Sequence, residues 1–419
     1  MIVYKFGGAS VKDAEAVRNL KYILSQNPGR KVVVVSAMGK MTNALEKVCY
    51  AYCNNRNYET ELQFVKEFHY SICHKLFKDT NHEIFNILQS LFEELCVKLR
   101  KPPAKESSKD YSEIVAYGEI ISTKIINSFL KSEQIKCEFL DVRNLIKTNY
   151  LYQEAKVDWK ETEERIKAIC NFSDTELYLT QGFIAANDNG VTTTLGREGS
   201  DFTAAIFAHC LDAESMTIWK DVPGVLNADP KWFSNKMKLE NISYREAIEL
   251  AYYGATIIHP KTIKPLQNKN IPLIVRSFLN ISEEGTCIDQ QTCNDSLIPS
   301  FIFRMDQVLI SISPRDLSFI IEENLSDIFA MMARYHVSIN LMQNSAVSFS
   351  VCVDNNPAIL KKLTDELKKE YRVLFNSGLE LATIRHYNQD TLDRVLHNKK
   401  IYLEQKTRHT ARFVIQDKK

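Results

Sequence analysis

The sequence predicts an α/β protein in two parts. An open, mainly parallel sheet sandwiched by helices comes first, and ferredoxin-like βαββαβ units follow, the last of them truncated. Three observations carry this. Short β-branched runs such as residues 32–35, bounded by turn residues, alternate with stretches of helical period through the first two thirds of the chain. Glycine-containing loops follow the strands, as at Gly7-Gly8 and around Gly196 and Gly199. After about Ser282 the order becomes strand, helix, strand, strand, helix, strand, and a similar series then begins and stops short.

Taken in order, residues 2–6 form a first strand that ends at Gly7-Gly8. Ser10-Val11-Lys12-Asp13 has a capping-box form and opens a helix to about Asn27. Lys31 and four valines make a strand buried on both faces. A long helical region spans about 43–99, and residues 100–109, rich in breakers and charge, form an exposed loop. Strands are expected at 137–140, 176–185, 215–219 and 271–275, with helices at about 201–211 and 243–253. The turn Asn187-Asp188-Asn189-Gly190 predicts an inserted hairpin. These elements place a catalytic domain at 1–282.

A smaller domain at 300–378 has strands at 309–313, 338–342, 346–354 and near 372–375, and helices at 326–335 and 358–371. Residues 379–419 restart the pattern with a strand at 379–386, a helix at 391–397 and strands at 401–405 and 411–415. This copy stops before its last helix.

Composition narrows the function. Of 419 residues, 45% are hydrophobic and 25% charged, which excludes disorder and collagen-like structure. Lys plus Arg number 53 against 52 Asp plus Glu, so charge gives no argument for a nucleic acid or membrane partner. The ten cysteines include no CxxC pair, and Cys49 and Cys53 sit one helical turn apart. They read as thiols of a reducing cytosol rather than metal ligands. No apolar run approaches the ~20 residues of a membrane span. Met1-Ile2-Val3-Tyr4-Lys5 reads as a strand, not a signal peptide, so a cytoplasmic protein is expected.

Several loops carry candidate chemistry. Lys5-Phe6-Gly7-Gly8-Ala9-Ser10 puts a cation, two glycines and a hydroxyl at a strand end before a helix. That combination suits a phosphate, without the Walker spacing, although Gly-Gly alone would be a simple turn. Residues 36–43, Ser-Ala-Met-Gly-Lys-Met-Thr-Asn, end the second strand at the same sheet edge. Gly118-Glu119 lies on an apolar helical segment. In Gly196-Arg197-Glu198-Gly199-Ser200-Asp201, Arg197 can clamp a carboxylate and Asp201 can hold an ammonium group or metal; Ser200 or Asp201 can equally cap the helix that follows. Lys220-Asp221-Val222-Pro223-Gly224 and Asn227-Ala228-Asp229-Pro230-Lys231 make a turn-rich excursion suited to a nucleotide base and ribose. His259, before Pro260, reads as structural.

These motifs, with Gln181-Gly182-Phe183, resemble in order and spacing those of the aspartokinases, within the amino acid kinase family. The resemblance spans the whole chain, and the C-terminal units look like ACT domains. It implies transfer of the ATP γ-phosphoryl to the side-chain carboxylate of L-aspartate, giving 4-phospho-L-aspartate. That is the entry step to lysine, threonine and methionine. By the resemblance, Lys5 and Mg²⁺ supply positive charge, Gly7, Gly8 and Ser10 cradle phosphate, and Asp201 orients Lys5. Glu119 binds the substrate ammonium and Arg197 its α-carboxylate, with Ser36, Thr42 and Ser200 completing the pocket. Lys220, Asp221 and Lys231 fall at the nucleotide.

The resemblance also implies a possible amino-acid effector, lysine or threonine, and a homodimer through the ACT-like units. The expected effector contacts are the loop at 315–324, including Glu322 or Glu323, and the strand start at Ser338 and Asn340. Against the family pattern, Ala9 stands for Thr, Glu198 for Gly, Lys220 for Thr, Lys231 for Arg and Thr256 for Lys. Two alternatives stay open. Another enzyme of the superfamily, such as glutamate 5-kinase or a nucleoside monophosphate kinase, is disfavoured by the ACT-like pair and Gly118-Glu119. An inactive amino-acid sensor is disfavoured by intact Lys5 and Asp201. With the sequence ending at Lys419, no fused homoserine dehydrogenase is expected. Lys5, read as facing ligand at a strand end, is expected to matter for turnover and little for stability.

Overall fold

A computed structural model describes residues 1–229, 236–255, 258–316 and 318–418. Two compact units emerge. The first comprises Met1–Val225, Lys238–Ile248 and Ile257–Thr292; the second comprises Leu226–Met237, Glu249–Thr256 and Cys293–Lys419.

In the first unit, β1 (Ile2–Phe6) passes through a 3-10 turn, Gly8–Val11, into α1 (Ala14–Gln26). The helix is capped by Asp13, whose carboxylate accepts from the Ala16 amide; Ser10 lies in the turn before it. β2 (Lys31–Val35) is buried at every position. The long helical region divides into α2 (Met41–Cys53), α3 (Glu59–Leu76) and α4 (Glu83–Leu99), and α5 (Ser107–Ser132) follows the expected loop. The chain continues through β3 (Glu138–Leu140), β4 (Lys147–Thr148), α6 (Trp159–Ile169), β5 (Leu177–Gln181), β6 (Ile184–Asn187) and β7 (Thr192–Thr194). It ends with α7 (Gly199–Cys210), β8 (Ser215–Lys220), β9 (Asn241–Ser243), α8 (Tyr244–Tyr253), α9 (Pro260–Asn268), β10 (Leu273–Ser277) and β11 (Thr286–Asp289). Glu249 to Tyr253, the end of α8, count with the second unit.

Eight strands form one sheet in the order β3-β5-β2-β1-β8-β10-β11-β9, parallel except at β10–β11. The single strand expected over 176–185 splits at Gly182-Phe183. Phe183 has φ 69°, a left-handed conformation that turns the chain out of the main sheet. β6 then pairs with β4 and with β7, the latter as the expected hairpin. β11 carries the first unit past residue 282 to Thr292, because Leu273–Val275 pairs antiparallel with residues 286–288. Its four residues, Thr-Cys-Ile-Asp, are too few for a period-2 signal.

The second unit contains β12 (Ser300–Pro314), α10 (Glu322–Arg334), β13 (Ile339–Asn344), β14 (Phe349–Asp354), α11 (Pro357–Glu370), β15 (Tyr371–Arg385), α12 (Gln389–Leu396), β16 (Lys399–Lys406) and β17 (Thr410–Asp417). They form one antiparallel sheet, β13-β14-β12-β15-β17-β16. The strands expected at 372–375 and 379–386 are one continuous strand, β15. The two βαββ series share it with β12. Residues 307–312 of β12 pair with β14 and with the start of β15, whereas 300–304 pair with 381–385. The second series therefore takes its fourth strand from upstream of the first and lacks only its second helix. A linear reading that splits the chain at 378 cannot find a strand contributed from 300–304.

Candidate functional site

β1 is where the strand order reverses: β2, β5 and β3 build outward on one side, β8 and β10 on the other. In an open parallel sheet, the crevice at the carboxyl ends of the strands beside such a point receives ligand. Lys5 occupies that place, in register with Val34 on β2 and Ile218 on β8. A cavity of 500 Å³ opens there, and Lys5, Gly8, Ser36, Thr42, Glu119, Arg197, Ser200 and Asp201 all line it.

Lys5 Nζ lies 2.6 Å from Asp201 Oδ1, with the lysine side chain 8% exposed and the carboxylate fully buried. Asp201 stands in the first turn of α7, where the helix dipole favours a negative charge. Burial pushes its carboxyl up, but the Lys5 and Lys220 charges prevail and hold it below the usual carboxylate range. The pair holds the Lys5 side chain in place at the cavity. It also corrects the expectation that Lys5 matters little to stability, because removing it strands a buried carboxylate.

Glu119, on α5, behaves in the opposite way. It is 2% exposed, and burial lifts its carboxyl from 4.5 to about 8 against the lowering effect of bonds from the Ala37 amide and Thr42 hydroxyl. Those contacts are long, 3.4 and 3.5 Å, and both fall on Oε1. Oε2 is buried without a hydrogen-bond partner among the described residues. A carboxyl held this way is suited to a cation that enters with ligand. Gly118 eases the placement: a Cβ there would lie 3.0 Å from Ala37 Cβ and 3.2 Å from Leu45 Cδ1, so any larger residue would push those side chains back by a few tenths of an ångström. Ser122 fastens α5 to the same loop by donating to the Ser36 carbonyl at 2.7 Å.

Arg197 is exposed at the cavity and has no ion pair among the described residues. Its neighbour Glu198 has φ 52°, a left-handed conformation that fits the glycine of the family pattern, and its side chain reaches Asp201. Ser200 is buried against Gly182, whose added Cβ would come within 2.5 Å of the serine Cβ.

The two glycine loops hold each other. The Gly39 amide donates to the Gly8 carbonyl at 3.0 Å, and a Cβ on Gly8 would lie 2.5 Å from the Gly39 oxygen. Gly8→Ala must therefore move backbone, whereas a Cβ on Gly7 would meet only the tip of Lys5, at 3.2 Å. We expect Gly8→Ala to lower stability by about 1–3 kcal/mol, the cost of overpacking, and to raise the KM for nucleotide, with Gly7→Ala milder on stability. Thermal melts and initial rates on both variants check this.

Other predicted residues fall outside the cavity lining. Ser10 is buried, and its hydroxyl donates to the Trp219 carbonyl at 2.8 Å, so the hydroxyl expected on phosphate is committed to the core. Lys220 ends β8 beside β1 and acts on Asp201 through its charge; Asp221 is exposed in the bend beyond. Lys231 and Thr256 lie outside the described residues. His259 caps α9, its Nδ1 accepting from the Lys261 amide at 3.2 Å, which is the structural role expected.

Glu46, Tyr111, Gln153 and Glu154, which belong to none of the sequence motifs, also line the cavity. Tyr111 donates to Glu46 Oε1 at 2.8 Å. Tyr111 precedes Glu119 by eight residues on one helix, a spacing that returns to the same face and offered a signal. Gln153 and Glu154 sit in an irregular segment that offered none.

A model of the amino acid kinase family matches residues 1–277. The lysine-sensitive aspartokinase 3 of Escherichia coli (strain K12) is 29% identical over 394 residues, covering 92% of this chain and 86% of that protein. A bifunctional aspartokinase/homoserine dehydrogenase of Buchnera aphidicola is 31% identical over 403 residues; the match covers 90% of this chain but 47% of that longer protein. Among solved structures, E. coli aspartokinase III in complex with lysine and aspartate aligns with TM-score 0.83 at 27% identity, over 99% of this chain and 95% of that one. The same enzyme in complex with aspartate and ADP aligns with TM-score 0.80 at 26% identity, over 99% and 96%.

Proposed function

The chain belongs to the amino acid kinase family, and from that premise we infer that it is an aspartate kinase, transferring the ATP γ-phosphoryl to the side-chain carboxylate of L-aspartate. One observation carries this reading. A single cavity gathers the Lys5–Asp201 pair, the raised and half-partnered Glu119 carboxyl, and Arg197, which has no ion pair among the described residues. Glu119 complements an ammonium group, Arg197 an α-carboxylate, and Lys5 the charge on a transferring phosphoryl group. The acceptor carboxylate is already a nucleophile, so no protein base is needed, and catalysis is positioning plus charge stabilisation. Ser36, Thr42 and Ser200 frame the acceptor, while Gly8 lets backbone approach the phosphates. Lys220 adds charge at the neighbouring strand end. The solved relatives holding aspartate, and aspartate with ADP, support the same pairing of substrates.

Mg²⁺ belongs to the reading as an ion carried on the nucleotide. Among the described residues no group of His, Cys, Asp and Glu side chains forms a metal cage. A Mg²⁺ carried on ATP phosphates and water would neutralise charge on the transferring group. Among the described residues no helix is long and apolar enough to cross a membrane, and a cytoplasmic setting fits the reading.

We further infer an amino-acid effector site and a dimer contact in the second unit. A relative with lysine bound supports lysine ahead of threonine. Asn340 donates through Nδ2 to Gln307 and Asp354, at 2.8 and 2.9 Å, which leaves Oδ1 to meet a ligand ammonium. Ser338 and the loop at 315–324 complete that proposal.

ADP release with L-aspartate, L-glutamate or UMP as acceptor tests the substrate; only aspartate is expected to support turnover, and turnover with glutamate or UMP alone overturns the reading. Lysine and threonine added to that assay read the effector. Arg197→Lys is expected to raise KM for aspartate by about tenfold or more, since lysine cannot form the planar fork, and to leave KM for ATP nearly unchanged. Equal changes in both would move Arg197 onto the phosphates.

A further inference from the structure

A separate cavity of 390 Å³ lies within the second unit. Arg412, on β17, lines it and is 8% exposed. Its Nη2 donates to the Asn340 carbonyl at 2.6 Å and its Nε to the Thr383 hydroxyl at 3.4 Å. The guanidinium lies 4.9 Å from the Tyr253 ring centroid. A guanidinium carries five N–H donors, so the others have no hydrogen-bond partner among the described residues. No carboxylate there forms an ion pair with it. The charged neighbour that acts on it, Arg304, is itself a cation, engaged with the Tyr253 and Tyr252 carbonyls at the end of α8. Tyr253 is bonded through its phenol to Thr410 and Glu249, and Glu249 lies 3.9 Å from Arg385.

A buried cation without a counter-ion is costly unless something supplies the anion. One wall of the cavity is apolar and open to solvent: Tyr252, Met342 and Phe329 are 66%, 50% and 40% exposed; Asn340, Gln405, Thr407 and Thr410 add neutral polar groups beside Arg412. No Asp or Glu lines it, so it offers no side-chain charge to an ammonium group.

We propose that this cavity binds a small apolar carboxylic acid lacking an ammonium group, with its carboxylate on the free N–H groups of Arg412 and its aromatic or branched body against Tyr252, Phe329 and Met342. The volume suits a ligand of that size. The site is independent of the catalytic cavity, and none of residues 315–324 lines it; Asn340, whose side chain is assigned to the effector above, borders it and holds Arg412 through its backbone carbonyl. It selects by the absence of a positive charge, where the Glu119 cavity selects by its presence.

The test is calorimetric titration of the full chain with phenylacetate, 2-phenylethylamine and L-phenylalanine, in saturating L-aspartate. Phenylacetate should bind saturably at one site per chain, phenylalanine more weakly and the amine not at all. Arg412→Lys keeps the charge but loses the fork, and should weaken phenylacetate by about tenfold or more. Tyr252→Ala and Met342→Ala, at exposed positions, should weaken it severalfold and keep the result decisive if the Arg412 variant fails to fold. No saturable phenylacetate binding, equal binding of the amine, displacement by aspartate, or unchanged affinity in the cavity variants would each overturn the proposal. ADP release is unaffected by any of these outcomes, so the catalytic reading is judged separately.

Discussion

Lys5→Ala is expected to lower kcat by about 10²–10³-fold, the usual cost of losing a transition-state charge contact, and to destabilise the fold as well. Both effects follow from one ion pair. Nζ lies 2.6 Å from a fully buried Asp201 carboxylate, so alanine removes the cation and strands the anion. Breaking a buried pair from one side costs about 3–5 kcal/mol. The two losses separate in a second variant. Lys5→Ala combined with Asp201→Asn removes the stranded charge and should recover much of the lost stability, without recovering turnover. Chemical denaturation and steady-state rates on the two proteins check this. A folded Lys5→Ala protein with near-normal kcat would remove Lys5 from phosphoryl transfer.

Glu119→Gln is expected to raise the KM for aspartate on the order of 10²-fold, the scale of truncating a buried charge pair, and to flatten its pH dependence. The free carboxyl titrates near 8 because burial outweighs its two weak hydrogen bonds. Below that pH the site is largely protonated, and an ammonium ligand must expel the proton to bind. Apparent affinity for aspartate should therefore improve by about tenfold per pH unit as pH rises towards 8, then level off. The stability sign is opposite. The folded value lies above the ordinary 4.5, so Glu119 contributes stability that is full below about 4.5 and lost as pH rises through 8. Ligand-free wild type should lose stability between pH 5 and 8 relative to Glu119→Gln. Thermal melts across that range read the second effect, and aspartate titrations the first. A pH-independent affinity in wild type would move the ammonium site elsewhere.

Much of this was legible in the sequence because strong local signals coincided. Lys31 and four valines could only be a strand buried on both faces, and β2 is buried throughout. The glycine loops stood at strand ends, and the sheet brought Lys5, Gly8 and Ser36 to one edge. What escaped depended on distant segments. Ser10 had the form of a cap and phosphate ligand, but the Trp219 carbonyl, more than two hundred residues away, claims its hydroxyl. The fourth strand of the second βαββ series comes from 300–304, so no reading confined to 379–419 could complete it. The raised Glu119 carboxyl required knowing that Oε2 has no partner among the described residues, a property of packing rather than of residue type. Glu154 reaches the site from a loop, where no period marks a face.

In an aspartate kinase the γ-phosphoryl group goes to the side-chain carboxylate of L-aspartate. Trapping the product with hydroxylamine, in the presence of ATP and Mg²⁺, tests this most directly, because an acyl phosphate is converted to the matching hydroxamate. Aspartate 4-hydroxamate is expected in step with ADP release from wild type, none from Lys5→Ala above background, and none with L-glutamate. ADP release from wild type without hydroxamate, or hydroxamate formed on glutamate in place of aspartate, would contradict it.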